Sequence, residues 1–162
     1  MSEPLGPWPR VGLGFDVHPF SDDPARRLVL GGVAIEGPGL AGHSDADVVA
    51  HSVADALLGA AGMQDIGTHF PASDPALAGI DSMDILARVV LMVGSHFHIA
   101  NVDAKVVLES PRLAPHRDDM QRRLSDVVGA PVAVTAKRAE GLGTIGRREG
   151  VACWAVALVV PR

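Results

Sequence analysis

Cysteine, long apolar runs and positive charge are all scarce in this sequence, and each scarcity closes a route. Cys153 is the one cysteine among 162 residues, so no intrachain disulfide can form. Its setting, VACWAVALVV, predicts a buried, unreactive thiol. That run, residues 151–160, is the longest unbroken apolar segment and covers about half of the ~20 residues a membrane-spanning helix needs. The formal net charge of −5 opposes an electrostatic grip on nucleic acid or an anionic membrane, while leaving room for a local basic cluster that holds phosphate. The opening MSEPLGPWPR lacks an apolar signal core, so a cytoplasmic location is expected. Internal repeats and low-complexity tracts are missing too. What is present, 48% hydrophobic and 20% charged residues, is the balance of a globular chain long enough for one domain with its own core.

Periodicity predicts a two-layer α/β domain of the α+β class, one unit over residues 1–162 with 1–9 as a loose N-terminal extension. Strands are expected at 10–20 and, as two short pieces bent at Gly31-Gly32, at 26–37. A helix over 46–62 places Val49, Val53, Ala56, Leu57 and Ala60 on one face; Ser44 and Asp47 form a capping box before it and Gly62 ends it. The Pro- and Gly-rich stretch 64–79 is a loop. A helix over 82–94 turns Ile85, Leu86, Val89, Val90 and Val93 inward, a strand follows at 99–110, and a third helix over 115–128 opens with Pro115. Strands at 131–139 and 150–160 close the chain.

Two constellations carry chemistry. In GLGFDVHPF, Asp16 and His18 stand two apart on a strand and so project from one face. On the first helix, Asp47, His51 and Asp55 recur every four residues and stack on one side. A single histidine on a helix is more often solvated than ligating, but this one lies in an alanine- and valine-rich helix and a second Asp/His pair is available. Catalytic zinc takes three protein ligands and keeps a fourth position open, a set that Asp16, His18 and His51 would supply. Asp55 reads equally as an orienter of an imidazole or as an exposed carboxylate. His69, His96, His98 and His116 have weaker contexts; His96 and His98, around Phe97 at a helix end, suit the helix dipole better than a ligand.

The second constellation is TAKRAEGLGTIGRREG, residues 135–150, which sets Lys137, Arg138, Arg147 and Arg148 among glycines. Glycines let backbone N–H groups approach an anion and the cations complement its charge. Glu140 is placed to hold a divalent cation against phosphate oxygens. The plainer alternative is a β-hairpin with a solvated tip, and the GK[ST] ending of a P-loop is missing.

Taken together, GLGFDVHPF, AGHSDADVVAHSVADALLGAAG, DIGTHFPASDP, SPRLAPH and EGLGTIGRREGVA occur in the order and spacing of the 2-C-methyl-D-erythritol 2,4-cyclodiphosphate synthase family, which the chain resembles from residue 10 onward. The resemblance implies a mixed β-sheet with helices packed on one face, three copies assembled as a homotrimer, and active sites between neighbours. It implies a lyase of non-mevalonate isoprenoid biosynthesis. The substrate would be 4-diphosphocytidyl-2-C-methyl-D-erythritol 2-phosphate, closed to the 2,4-cyclodiphosphate with release of CMP. Zn²⁺ would sit on Asp16, His18 and His51, and a second divalent cation, Mg²⁺ or Mn²⁺, on Glu140. His43 would act on the reacting phosphate with Ser44 beside it. Further substrate contacts would come from Val17, Asp65, Ile66, Gly67, Phe70 and Asp74, from Leu108 and the cytosine-enclosing Ser110, Pro111, Arg112, Leu113 and Ala114, and from Arg147. The pathway's cytidylyltransferase is a possible protein partner.

The chain departs from the family's usual Lys-Ala-Thr-Thr-Thr-Glu, reading Thr135-Ala136-Lys137-Arg138-Ala139-Glu140. Lys137 and Arg138 then contact phosphate as cations where hydroxyls would have done so, or they mark a change of substrate or rate. Thr144 stands where phenylalanine is common. That bears on a cavity along the threefold axis, matched by Phe15 and Arg147, in which some relatives hold isoprenoid diphosphates. Two other readings of the same residues are a zinc phosphohydrolase with Asp55 as base, and a trimeric isoprenoid-diphosphate binder without turnover.

Overall fold

The computed structural model describes residue 6 and residues 8–162. Most of the expected N-terminal extension, residues 1–5 and 7, lies outside them. Six strands and five helices follow in the order β1 (Arg10–Pro19), β2 (Arg27–Leu30), β3 (Val33–Pro38), α1 (Val48–Ala61), α2 (Ile66–His69), α3 (Ser82–Gly94), β4 (Phe97–Val107), α4 (Arg117–Val128), β5 (Val132–Lys137), α5 (Gly143–Gly146) and β6 (Gly150–Pro161), with a 3₁₀ turn at Pro75–Leu77. The main sheet has the order β1-β6-β4-β5. Its first two pairings are antiparallel and β4–β5 is parallel, so the sheet is mixed, as expected. Hairpin β2–β3 stands apart from it. Gly31 and Gly32 turn that hairpin at φ 58° and 71°, the two positive values a two-residue primed turn demands.

Strand β1 explains how the layers meet. Gly12 and Gly14 face α1, and a Cβ on either would lie 2.0 Å from a helix carbonyl, Ala56 O and Ser52 O respectively. The helix therefore rests on strand backbone, closer than any side chain allows. Asp16 and His18 continue that face beyond the glycines, under the N-terminal turn of α1. Val102, Ala104, Val106, Val132, Val134, Ala155, Ala157 and Val159 bury the same face of the other strands beneath the helices. The edge of β5 is closed by α4: Gln121 Oε1 accepts from Val134 N and Ser125 Oγ from Val132 N, each at 3.0 Å, which blunts an otherwise open strand edge.

Several local expectations are corrected. α1 is buried on more than the expected face, Ala50, Ala54 and Leu58 as fully as Val49, Val53 and Leu57, because it touches β1, β6 and α3 at once; within the helix only the stripe of His51, Asp55 and Gly59 reaches solvent. The capping box does not form: Asp47 is itself the N-cap, accepting from Val49 N and Ala50 N, and Ser44 is turned elsewhere. Pro115 precedes the N-cap His116 of α4 and is not in its first turn. Strand β4 begins at Phe97, so His98 is a strand residue paired with Val160 and only His96 lies near the helix end. The glycine-rich segment is not a hairpin tip; it folds into the short α5.

The other face of the sheet carries Val11, Leu13, Phe15, Val17, Trp154 and Val156, each 41–67% exposed. The Phe15 and Trp154 rings meet at 4.8 Å between centroids. Among the described residues, no helix is long and apolar enough to cross a membrane.

Candidate metal centre and phosphate-binding loops

Helix α1 crosses β1 so that His51 stands over the end of the Gly12-Gly14-Asp16-His18 face. Asp16 Oδ2 lies 3.1 Å from His18 Nε2 and 2.9 Å from His51 Nδ1. The three prospective ligand atoms all fall within 4.8 Å of one another. Burial pushes the Asp16 carboxyl upward, but the hydrogen bonds and charges of the two imidazoles outweigh it and hold it far below the usual carboxylate range. Burial likewise pulls His51 down, yet Asp16, with Asp47 and Asp45 behind it, raises it above the ordinary imidazole value. Two imidazole nitrogens and one carboxylate oxygen are a donor set that suits zinc. The two histidines line a cleft of about 200 Å³ together with His43, Ser44, Ile66 and Phe70.

The other helix carboxylates have different duties. Asp47 is fully buried. Its Oδ1 accepts from Gly31 N at 2.9 Å, Val49 N at 3.0 Å and Ala50 N at 3.1 Å, and its Oδ2 from Gly32 N at 2.7 Å. One side chain thus caps α1 and locks the β2–β3 turn against it. Burial pushes this carboxyl up to about 6 while the N–H groups pull it back. Asp55 fits neither reading offered for it. It is half-buried and accepts from Ile66 N at 2.7 Å, anchoring the loop that enters α2; the imidazole of His51 finds Asp16.

That loop holds the expected erythritol-side residues. Asp65 caps α2, accepting from Thr68 N at 2.8 Å and Thr68 Oγ1 at 2.7 Å, bonds that lower its carboxyl. Gly67 is exposed beside it. His43 Nε2 is 3.1 Å from the Asp74 carbonyl, and Asp74 Oδ1 accepts from Ala76 N. His69 is tied to the Met63 carbonyl at 2.5 Å and is structural.

Leu108, the 110–114 segment and Glu140 lie toward the opposite sheet edge, whereas Val17 is on β1 and Arg147 follows α5 on the approach to β6. Leu108 and Ser110 to Ala114 line a cleft of about 360 Å³ together with Lys137, Arg138 and Arg148. Arg138 does not stand free for phosphate: Nε and Nη2 donate to Glu109 Oε2 at 3.1 and 2.9 Å. Glu109 Oε1 accepts from Gly141 N at 3.2 Å. The Gly141 N–H and then the Arg138 guanidinium hold the Glu109 carboxyl below its usual value. Glu140, between these anchors, is exposed at φ 53°. Arg147 pairs with Glu149 at 2.7 Å. Across the sheet, Asp16, Cys153, Val106 and Ala136 stand in one row, three strand spacings or roughly 14 Å. The metal triad and the 135–140 strand end therefore share one end of the sheet but not one edge.

Four polar residues at the site escaped sequence reasoning. Ser82 and Asp45 stand behind His51, Arg26 Nη2 donates to Ser44 O at 2.7 Å, and Glu109 clamps Arg138. A serine opening a helix or an arginine just before a short strand has no spacing signal that betrays such a contact.

The YgbB family model matches residues 9–160. The chain belongs to that family. It is 49% identical over 156 residues to the 2-C-methyl-D-erythritol 2,4-cyclodiphosphate synthase of Porphyromonas gingivalis, covering 93% of this chain and 95% of the relative. Among solved structures, the bifunctional IspDF from Campylobacter jejuni superposes with a TM-score of 0.90 at 37% identity; 96% of this chain is covered, which spans 43% of that longer one. The CDP complex of Plasmodium falciparum IspF gives a TM-score of 0.84 at 32% identity over 98% of this chain and 99% of that one.

Proposed function

We propose that the chain closes 4-diphosphocytidyl-2-C-methyl-D-erythritol 2-phosphate to 2-C-methyl-D-erythritol 2,4-cyclodiphosphate and releases CMP. The observation that carries this reading is the Asp16–His18–His51 triad at the mouth of a cleft, in a chain matched to synthases along nearly its whole length. An oxygen of the 2-phosphate attacks the β-phosphorus, the bond from that phosphorus to the bridging oxygen breaks, and CMP leaves with it; no water enters the balance. Such a transfer needs in-line positioning and neutralisation of spread negative charge more than covalent help. A zinc ion on the triad supplies Lewis acidity and charge there.

This chain's own residues do the rest. His43 Nε2 donates to the Asp74 carbonyl, tying the 70–74 loop over the cleft, and would turn that N–H to the reacting phosphate once substrate is bound. Asp65 and the α2 turn present hydroxyl-binding groups to the erythritol, and Ile66 and Phe70 exclude water from the cleft. Glu140 would hold a second divalent cation, which would supply positive charge for the diphosphate, and Lys137 would add a cation for phosphate. Ser110 to Ala114 enclose the cytosine.

The two halves stand at opposite edges of one sheet, so a substrate reaching both is best served by two copies, β1 of one meeting β5 of its neighbour. The exposed apolar sheet face supports a homotrimer with that face inside. The hydrolase reading has less support, since its intended base, Asp55, spends Oδ1 on Ile66 N. Incubation with the substrate, followed by ³¹P NMR and nucleotide chromatography, tests the assignment: equimolar CMP and a cyclic diphosphate are expected. Free phosphate as the product would replace the cyclase with a hydrolase.

A further inference from the structure

Ser82 Oγ is the junction of a hydrogen-bond network behind His51. It lies 2.9 Å from His51 Nε2 and 3.2 Å from Ser44 Oγ, and it contacts Asp45 Oδ1. Ser82 is fully buried at the first position of α3. A hydroxyl has one proton and two lone pairs. The Asp45 carboxylate only accepts, so the Ser82 proton goes to it. His51 Nε2, 2.9 Å away, then faces a Ser82 lone pair and must donate to it. Ser44 Oγ accepts the Ala46 N–H at 3.1 Å and stands 3.2 Å from both Ser82 Oγ and His51 Nε2, a second oxygen beside the same ring nitrogen. The count leaves one arrangement for neutral His51, with the proton on Nε2 and a bare lone pair on Nδ1. That lone pair faces Asp16 Oδ2 at 2.9 Å, and the same oxygen faces His18 Nε2 at 3.1 Å. A cation seated among these three atoms satisfies all of them at once.

We propose that Ser82, oriented by Asp45, is a positioning residue for the metal centre, holding His51 in the Nε2–H tautomer so that Nδ1 is presented to the cation. The proposal rests on the metal reading above and deepens it. Ser82 and Asp45 act through the imidazole and touch neither substrate nor cation. Without the Ser82 hydroxyl, Nε2 keeps only Ser44 Oγ at 3.2 Å, a hydroxyl that can donate to it as well as accept from it, so the neutral ring divides between two tautomers, and one of them turns an N–H at the ligand position. Removing such a partner of a metal-bound histidine typically weakens the metal 10- to 100-fold, as an order of magnitude.

The test measures zinc affinity by competition with a chromophoric chelator, alongside the solvent-protected His51 Nε2–H resonance in proton NMR. Ser82→Ala is expected to lose roughly 10- to 100-fold in zinc affinity together with that resonance, and Ser82→Thr, which keeps the hydroxyl, to restore both. Asp45→Ala frees the Ser82 proton and is expected to weaken zinc about tenfold; it decides the matter should Ser82→Ala fail to fold. Wild-type affinity in both Ser82→Ala and Asp45→Ala, or a protected Nε2–H persisting in Ser82→Ala, overturns the relay and leaves the metal centre standing. A wild-type chain that binds no zinc overturns both.

Discussion

His51 is the residue on which strand and helix chemistry converge. His51→Ala removes one of three donors, and stoichiometric zinc and cyclase activity should be lost together, as read by metal analysis and CMP release; zinc retained one-to-one would mean another ligand set. Asp47 offers a separate prediction, about stability. Asp47→Asn keeps a carbonyl for the three N–H groups on Oδ1 but turns an NH₂ toward Gly32 N. That change should cost about 1–3 kcal/mol at neutral pH. The carboxyl is raised from 3.8 to about 6 in the fold, so the folded state holds its proton more tightly than the unfolded chain. Its contribution is fully present below about pH 3.8 and is lost as pH rises through about 6. The wild type's lead over Asp47→Asn in urea unfolding should therefore be larger at pH 4 than at pH 7.5, by up to about 3 kcal/mol. A lead that grows with pH would show the N–H groups and the helix dipole winning over burial.

At the scale of elements, the approach of α1 to β1 sets the geometry of the Asp16–His18–His51 triad. Gly14→Ala would drive a Cβ to 2.0 Å from Ser52 O and 2.6 Å from Ala56 N, both backbone atoms, so the helix must lift. The expected cost is more than about 3 kcal/mol, and zinc affinity should fall as well because His51 is the residue before Ser52. A second element works the same way at the far edge. Glu109 joins the end of β4 to the 138–141 loop through Arg138 and Gly141. Glu109→Gln should loosen the loop that carries Glu140 and raise the divalent-cation concentration needed for half-maximal rate by roughly tenfold, with zinc binding unaffected. An unchanged cation requirement would place the second metal elsewhere.

The whole molecule leaves an apolar sheet face in water when it is a single copy. Leu13→Asp on that face should convert an assembly of roughly 50 kDa into monomers in light scattering. Activity should fall with it, since β1 and β5 of one copy cannot reach each other. Zinc should also stabilise the whole fold. At a hundredfold excess over its dissociation constant, bound ligand contributes about 2.7 kcal/mol, so chelation is expected to lower the melting temperature by roughly 5–10 °C in a chain of this length.

Local patterns that the backbone itself enforces were legible in the sequence alone. Alternation put Asp16 and His18 on one strand face, glycines marked the β2–β3 turn and the end of α1, and the run of segments pointed to the family and its chemistry. Properties made by contact between distant segments were not legible. The helical spacing that grouped Asp47, His51 and Asp55 is real, yet the three meet a hairpin turn, the Asp16–His18 pair and a loop, because a different segment packs against each turn of α1. Lys137 and Arg138 read as a pair of phosphate cations until Glu109, 29 residues away from Arg138, claimed one of them. Ser82 carries no signal in its own neighbourhood, since its meaning comes from 31 residues upstream. Sequence determines which atoms exist and which face a strand or helix turns them to; only tertiary packing decides which partner desolvates and hydrogen-bonds each one, and with that its charge, its proton and its role.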